Sequence, residues 1–133
     1  MEYGKADNTY QAAGCEEGIR QLVDHFYDIM QTDYRLIWRL HPSENNQSRD
    51  KLARFLCAWT GGPRLYNEKY GPINIPKVHA HLAVTTTERD QWLACMTQAL
   101  NQMDFPASLK TYLITQLAIP AERIRQTSAG SEA

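Results

Sequence analysis

An all-α fold is what this sequence predicts, and three observations predict it. Apolar residues recur at helical spacing in four separate stretches, Pro and Gly clusters punctuate those stretches, and no alternating apolar-polar run closed by a tight turn marks a hairpin. The first stretch, Glu16 to Met30, carries Ile19, Leu22, Val23, Phe26, Tyr27 and Met30, which is one apolar stripe on a helix. Gly14 and Gly18 bracket its start, so a short helix over Asn8 to Ala13 is expected to turn sharply into it. Asp33 to Leu40 reads as a short helix or turn that ends at His41-Pro42, because proline disfavours the helical conformation in the residue before it. The polar segment Ser43 to Asp50 suits a loop entering a helix, with Ser48 near the start. Leu52, Phe55, Leu56 and Trp59 then repeat at helical spacing for about three turns, and Gly61-Gly62-Pro63 stops them.

From Gly62 to Thr87 the chain reads as irregular, broken by Pro63, Gly71, Pro72 and Pro76. A segment of that length without structure inside a small domain points to function, and it holds His79 and His81. Thr87 is expected to cap the next helix, with acidic residues in its first turn and Trp92, Leu93, Met96, Leu100 and Met103 at the helical period. Pro106 opens the last helix, with Leu109, Tyr112, Leu113, Leu117 and Ile119 facing inward and a weak point at Pro120.

The 133 residues are enough for one domain, and 43% hydrophobic against 22% charged is a globular composition. Fourteen basic residues offset fifteen acidic ones to a net charge of -1 without any basic run, which speaks against nucleic acid as a partner. No apolar stretch reaches the roughly 18 to 20 residues of a membrane span, and the polar, acidic first ten residues do not resemble an export signal. Cys15, Cys57 and Cys95 have no metal-type spacing and suit reduced, buried thiols, so the expected location is cytoplasmic.

No phosphate loop, nucleophile elbow or paired cysteines occur, which leaves histidines and aromatics as carriers of chemistry. His79 and His81 form an H-x-H pair that shares one side on a strand but diverges by roughly 200° on a helix. Taken singly, Tyr27 and Trp92 can be core aromatics, His41 a surface group on its turn and His25 a solvated residue. A cofactor-free helical interaction module therefore stands as one reading, and a small metal site of His79, His81 and Glu88 or Asp90 as another.

The order of these residues carries a resemblance. Phe26-Tyr27, Leu40-His41-Pro42, Phe55-Leu56 leading to Gly61-Gly62-Pro63-Arg64-Leu65-Tyr66-Asn67-Glu68-Lys69, then His79 and Glu88-Arg89-Asp90-Gln91-Trp92-Leu93-Ala94-Cys95-Met96, resemble the truncated haemoglobins of the second group, from about Gly14 to Leu117. The resemblance implies a globin-like, two-over-two helical sandwich over residues 1–126, with 1–7 as an N-terminal extension and 127–133 as a disordered tail. It implies haem b as cofactor, His79 as the proximal iron ligand nine residues before Glu88, and a distal pocket of Tyr27, His41, Ser48, Leu52 and Trp92. Phe55, Lys51, Tyr66, Lys77 and Leu82 are then expected to contact haem. Val78 stands where the family usually has a basic residue and His81-Leu82 where it has Pro-Phe, so Lys51, Tyr66, Lys69 or Lys77 is left to meet the propionates. Dioxygen, carbon monoxide and nitric oxide are the implied ligands, bound by a monomer or homodimer.

The chemistry of the side chains fits that assignment. A neutral imidazole can hold haem iron from one side. The Tyr27 hydroxyl, the Trp92 indole N–H and one nitrogen of neutral His41 would be hydrogen-bond donors to a ligand on the other. Donors that slow release suit redox or reactive oxygen and nitrogen chemistry, such as a peroxidase or nitric-oxide dioxygenase reaction with an electron donor, better than bulk transport.

Overall fold

A computed structural model describes residues 2–41, 45–73, 82 and 84–127. Its helices are α1 (Asn8–Ala12), α2 (Cys15–Asp33), α3 (Arg35–Trp38), α4 (Asn46–Trp59), α5 (Leu65–Tyr70), α6 (Thr86–Asn101) and α7 (Ala107–Thr127), with no strand among the described residues. Helix α2 packs on α4 and α6 on α7, while α2 also lies against α6. Two helix pairs laid one on the other make the two-over-two sandwich.

The α2 stripe is buried as its spacing demands, and Ile29 joins it. Phe26, Ile19, Met30, Met96, Leu100 and Leu109 are the largest fully buried side chains, and each contributes on the order of 1.5–3 kcal/mol by leaving water. The turn from α1 into α2 depends on two glycines. Gly14 has a φ of 85°, and a Cβ on Gly18 would lie 1.9 Å from the Ala13 carbonyl oxygen, so no larger residue fits without moving the α1–α2 corner. Cys57 and Cys95 are buried as expected, but Cys15, next to this corner, is exposed.

Several boundaries differ from the expectation. Helix α4 begins at Asn46 and is 14 residues long, so Ser48 lies inside it and the helix runs close to four turns rather than three. The segment 62–87 contains α5, whose six residues are too few to show a period; only Tyr66 is buried there. Thr85, not Thr87, caps α6: its hydroxyl meets the Glu88 carboxylate, which also accepts the Thr85 backbone N–H at 3.0 Å in a capping box. That earlier cap moves the helix start by two residues and makes Glu88 the third helical position. In α7, Leu109, Leu113, Leu117 and Ala121 are buried and Ile119 is 51% exposed, because a step of four from Leu117 reaches Ala121. The helix continues through Pro120 to Thr127.

Asp50 ties three helices together. Its carboxylate accepts hydrogen bonds from Arg20 of α2 (3.2 Å), Arg54 of α4 (2.9 Å), and Lys69 (3.0 Å) and Tyr70 (2.7 Å) of α5. Partial burial pushes this carboxyl up, but the bonds from Tyr70, Lys69, Arg20 and Arg54 outweigh it and hold Asp50 well below the usual carboxylate range. At the other end Glu122 of α7 accepts from Arg125 and from Arg89 of α6, which lowers its carboxyl to about 2. These ties fix the spacing of helices whose inner faces do not fully meet.

Candidate ligand cavity

The space between those inner faces is a cavity of about 370 Å³. Each wall follows from helical spacing. Helix α4 presents Ser48, Lys51, Leu52 and Phe55, at i, i+3, i+4 and i+7; α7 presents Leu117, Pro120, Ala121 and Ile124 at the same spacing. Helix α6 contributes Glu88, Arg89 and Trp92, α2 contributes Tyr27, and α5 contributes Tyr66. Ile37, Leu40 and His41 close the side at α3, and Ile73, Leu82 and Val84 line the cavity from the chain between α5 and α6.

Of the residues singled out from sequence, Tyr27, His41, Ser48, Lys51, Leu52, Phe55, Tyr66, Leu82 and Trp92 all line this one cavity. His79, His81 and Lys77 lie outside the described residues.

The polar end is built from stacked rings. Phe26 meets Tyr27 edge-on at 5.3 Å and Trp92 at 5.2 Å, and Tyr27 meets His41 at 5.4 Å with an interplanar angle of 89°. These contacts lock α2, α6 and the corner after α3 around the Tyr27 ring, which is 4% exposed. Burial pushes the Tyr27 phenol well above the ordinary tyrosine range, with the Arg49 cation pulling weakly the other way, so the group is a neutral O–H donor at physiological pH. Among the described residues nothing accepts that hydrogen, and the Trp92 indole N–H has no acceptor either. Both residues line the cavity, so the two donors are open to a ligand that enters it.

His41 differs from the sequence expectation. Its Nδ1 lies 2.8 Å from the Ile37 carbonyl oxygen, which can only accept, so Nδ1 carries the hydrogen and in the neutral ring Nε2 is an acceptor. The donor that neutral His41 was expected to offer a ligand is spent on the backbone.

The cations around the cavity divide into engaged and available. Arg89 pairs with Glu122 at 2.7 Å and Asp90 at 2.9 Å, and Lys69 is held by Asp50. Lys51 lies 5.2 Å above the Tyr70 ring and makes no ion pair among the described residues. The carboxylates offered for a metal site are engaged too: Glu88 by Thr85 and Asp90 by Arg89. Among the described residues no group of three histidine, cysteine or acidic side chains could hold a metal ion, and no helix is long and apolar enough to cross a membrane.

Sequence reasoning missed the α7 wall and Arg49, which lies over Tyr27. The signal for the first was present, since Leu113, Leu117, Ala121 and Ile124 continue one stripe; taking Pro120 as a weak point obscured its last turn. Arg49 gave none, because it sits on a polar run and acts through side chains of another helix.

Comparison with known proteins agrees with this geometry. Residues 8–126 match the family model for bacterial-like globins. The chain is 31% identical over 121 residues to Group 2 truncated hemoglobin YjbI of Bacillus subtilis (strain 168), covering 90% of each chain. In three dimensions it resembles the group II truncated hemoglobin from Bacillus anthracis, with a TM-score of 0.84 and 26% identity over 94% of this chain and 93% of that one. It also resembles the truncated oxygen-avid haemoglobin from Bacillus subtilis, with a TM-score of 0.81 and 30% identity over 87% of this chain and 97% of that one. Matched along most of its length in sequence and in fold, the chain belongs to the bacterial-like globins and, within them, to the group II truncated haemoglobins.

Proposed function

We propose that the cavity holds haem b and that the protein binds dioxygen and other diatomic gases, carbon monoxide and nitric oxide among them, in redox or reactive oxygen and nitrogen chemistry. The observation that carries this reading is a cavity with apolar walls whose lining brings together Tyr27 and Trp92, donors without an acceptor among the described residues, and Lys51, a cation without an ion pair among them. A close-packed domain of this size keeps no such void for its own packing, which disfavours the cofactor-free module. The residues fit the group. Phe55, Leu52, Leu82 and the α7 side chains offer flat apolar contact to a porphyrin, and Lys51 and the Tyr66 hydroxyl can meet its propionates, with Lys69 withdrawn by Asp50. Lys77 is a further candidate for the propionates.

His79 is the proposed axial ligand. The support is the resemblance: His79 stands nine residues before Glu88 and three before Leu82, which lines the cavity. When bound, haem would supply a ferrous iron able to take a diatomic gas and pass electron density to it. The Tyr27 O–H and the Trp92 N–H then act as fixed donors to the ligand in a water-poor space, where such bonds are stronger than in water. Ser48 and Leu52 line the same cavity and would set the size and polarity of the ligand's space, and the edge-on ring of His41 restrains Tyr27. Donors of this kind slow release, which suits held-oxygen chemistry supplied by an electron donor more than bulk transport. The oxygen-avid Bacillus subtilis haemoglobin supports the same reading by likeness of fold.

A direct test is titration of the haem-free protein with haemin, followed by quenching of tryptophan emission, since Trp92 lines the cavity. Quenching that ends at one haem per chain is expected; emission that declines without a stoichiometric end point would overturn the proposal.

A further inference from the structure

Arg49 is placed where no ligand-contacting role accounts for it. It lies on α4 between Ser48 and Lys51, but its guanidinium turns to α2. Nη1 donates to the Asp24 carboxylate (3.2 Å) and backbone carbonyl (3.3 Å), Nη2 to Asp28 (2.9 Å), and Nε to Asn45 at the start of α4 (2.9 Å). Held by that fork, its central carbon lies 5.4 Å from the centroid of the Tyr27 ring, and its side chain is only 20% exposed. Asp24 and Asp28 precede and follow Tyr27 on α2, so the two anchors straddle the ring.

We infer that Arg49 is a positioning residue for the Tyr27 hydroxyl, clamping the first turn of α4 to α2 over the ring and thereby fixing where the donor stands in the cavity. The ring contacts of Tyr27 among the described residues are edge-on, with Phe26 and His41, and restrain its tilt. A guanidinium over the ring restrains it further, and the fork is rigid because its planar donors are satisfied by two carboxylates. The same clamp sets the register of Ser48 and Leu52, which flank Arg49 on α4. The cation also strengthens the phenol as a donor, since positive charge near the ring favours loss of its proton. Arg49 thus acts on a ligand it never touches.

This inference rests on the haem and gas-binding reading above, and its test separates the two. Dioxygen dissociation rates and the carbon-monoxide stretching frequency are measured on the reduced, haem-loaded wild type, Tyr27→Phe, Arg49→Leu, Arg49→Lys and the Arg49→Leu/Tyr27→Phe double variant. Arg49→Leu is expected to release dioxygen about fivefold faster and to move the carbon-monoxide stretch in the direction that Tyr27→Phe moves it. Arg49→Lys, which keeps the charge without the fork, falls between, and it carries the test should Arg49→Leu fail to fold. In the Tyr27→Phe background the Arg49→Leu change adds nothing, because the donor it positions is gone. A Tyr27→Phe effect with no Arg49 effect, or full additivity in the double variant, overturns the clamp alone. No effect of Tyr27→Phe overturns the distal role of Tyr27 and the clamp with it.

Discussion

Tyr27→Phe is expected to raise the dioxygen dissociation rate of the haem-loaded protein about thirtyfold. The phenyl ring keeps the edge contacts with Phe26 and His41 and the cation over its face, so the variant removes a hydroxyl and little else. A hydrogen bond to a ligand that gathers negative charge is worth ~2 kcal/mol, which at room temperature is about that factor in rate if the bond is lost on dissociation. Association should change less, because the donor acts after the ligand has arrived. The indole N–H of Trp92 provides an internal comparison. Trp92→Phe should also speed release, and the pair should be non-additive if both donors share one ligand. Stopped-flow replacement of dioxygen by carbon monoxide measures all of these; an unchanged rate in Tyr27→Phe would remove the hydroxyl from the binding site.

The second large effect concerns stability. Asp50→Ala should lower the free energy of unfolding by about 2 kcal/mol, because one carboxylate satisfies donors from three helices and its loss takes the counter-charge from partly buried Arg54 and leaves Arg20 with Glu16 alone. The pH dependence gives the signature. The carboxyl is held below its unfolded value of about 3.9, so its contribution is complete above roughly pH 5 and is lost as pH falls below 4 toward the folded value. Urea midpoints of wild type and variant should therefore differ most at pH 7 and draw measurably closer by pH 3, without yet meeting. A difference that stays constant across that range would show that the charge of Asp50 is not what stabilises the fold. The effect has a functional side, since Lys51, next in sequence, lines the cavity and depends on the same turn of α4.

How much was legible in the sequence depended on the range over which each signal acts. The stripes of α2 and α7 and the α4 repeat were visible because apolar spacing is local, and the ordered motifs singled out residues that line one cavity. Helix α5 escaped because six residues and a single buried side chain show no period. The α6 cap was assigned two residues late because Thr85, Thr86 and Thr87 are equivalent as caps in isolation; only the reach of the Glu88 carboxylate to Thr85 chooses among them. The tautomer of His41 and the position of Arg49 could not be read, since both are set by partners elsewhere in the fold: a carbonyl at Ile37 and carboxylates on α2. The family resemblance supplied the remainder, above all the proposals of haem as cofactor and His79 as its axial ligand, which no spacing in this chain dictates.

The proposal on which the rest depends is His79 as the ligand of haem iron, with Tyr27 and Trp92 as donors to the bound gas. It is tested most directly by optical spectra of the haem-loaded wild type and His79→Ala, each oxidised, reduced with dithionite and then exposed to carbon monoxide. In the wild type the account predicts a strong Soret band that shifts on reduction and again with carbon monoxide as a histidine-ligated haem does. In His79→Ala that signature should be lost and return when free imidazole is added. A His79→Ala spectrum identical to the wild type would mean that another residue holds the iron and would contradict the account.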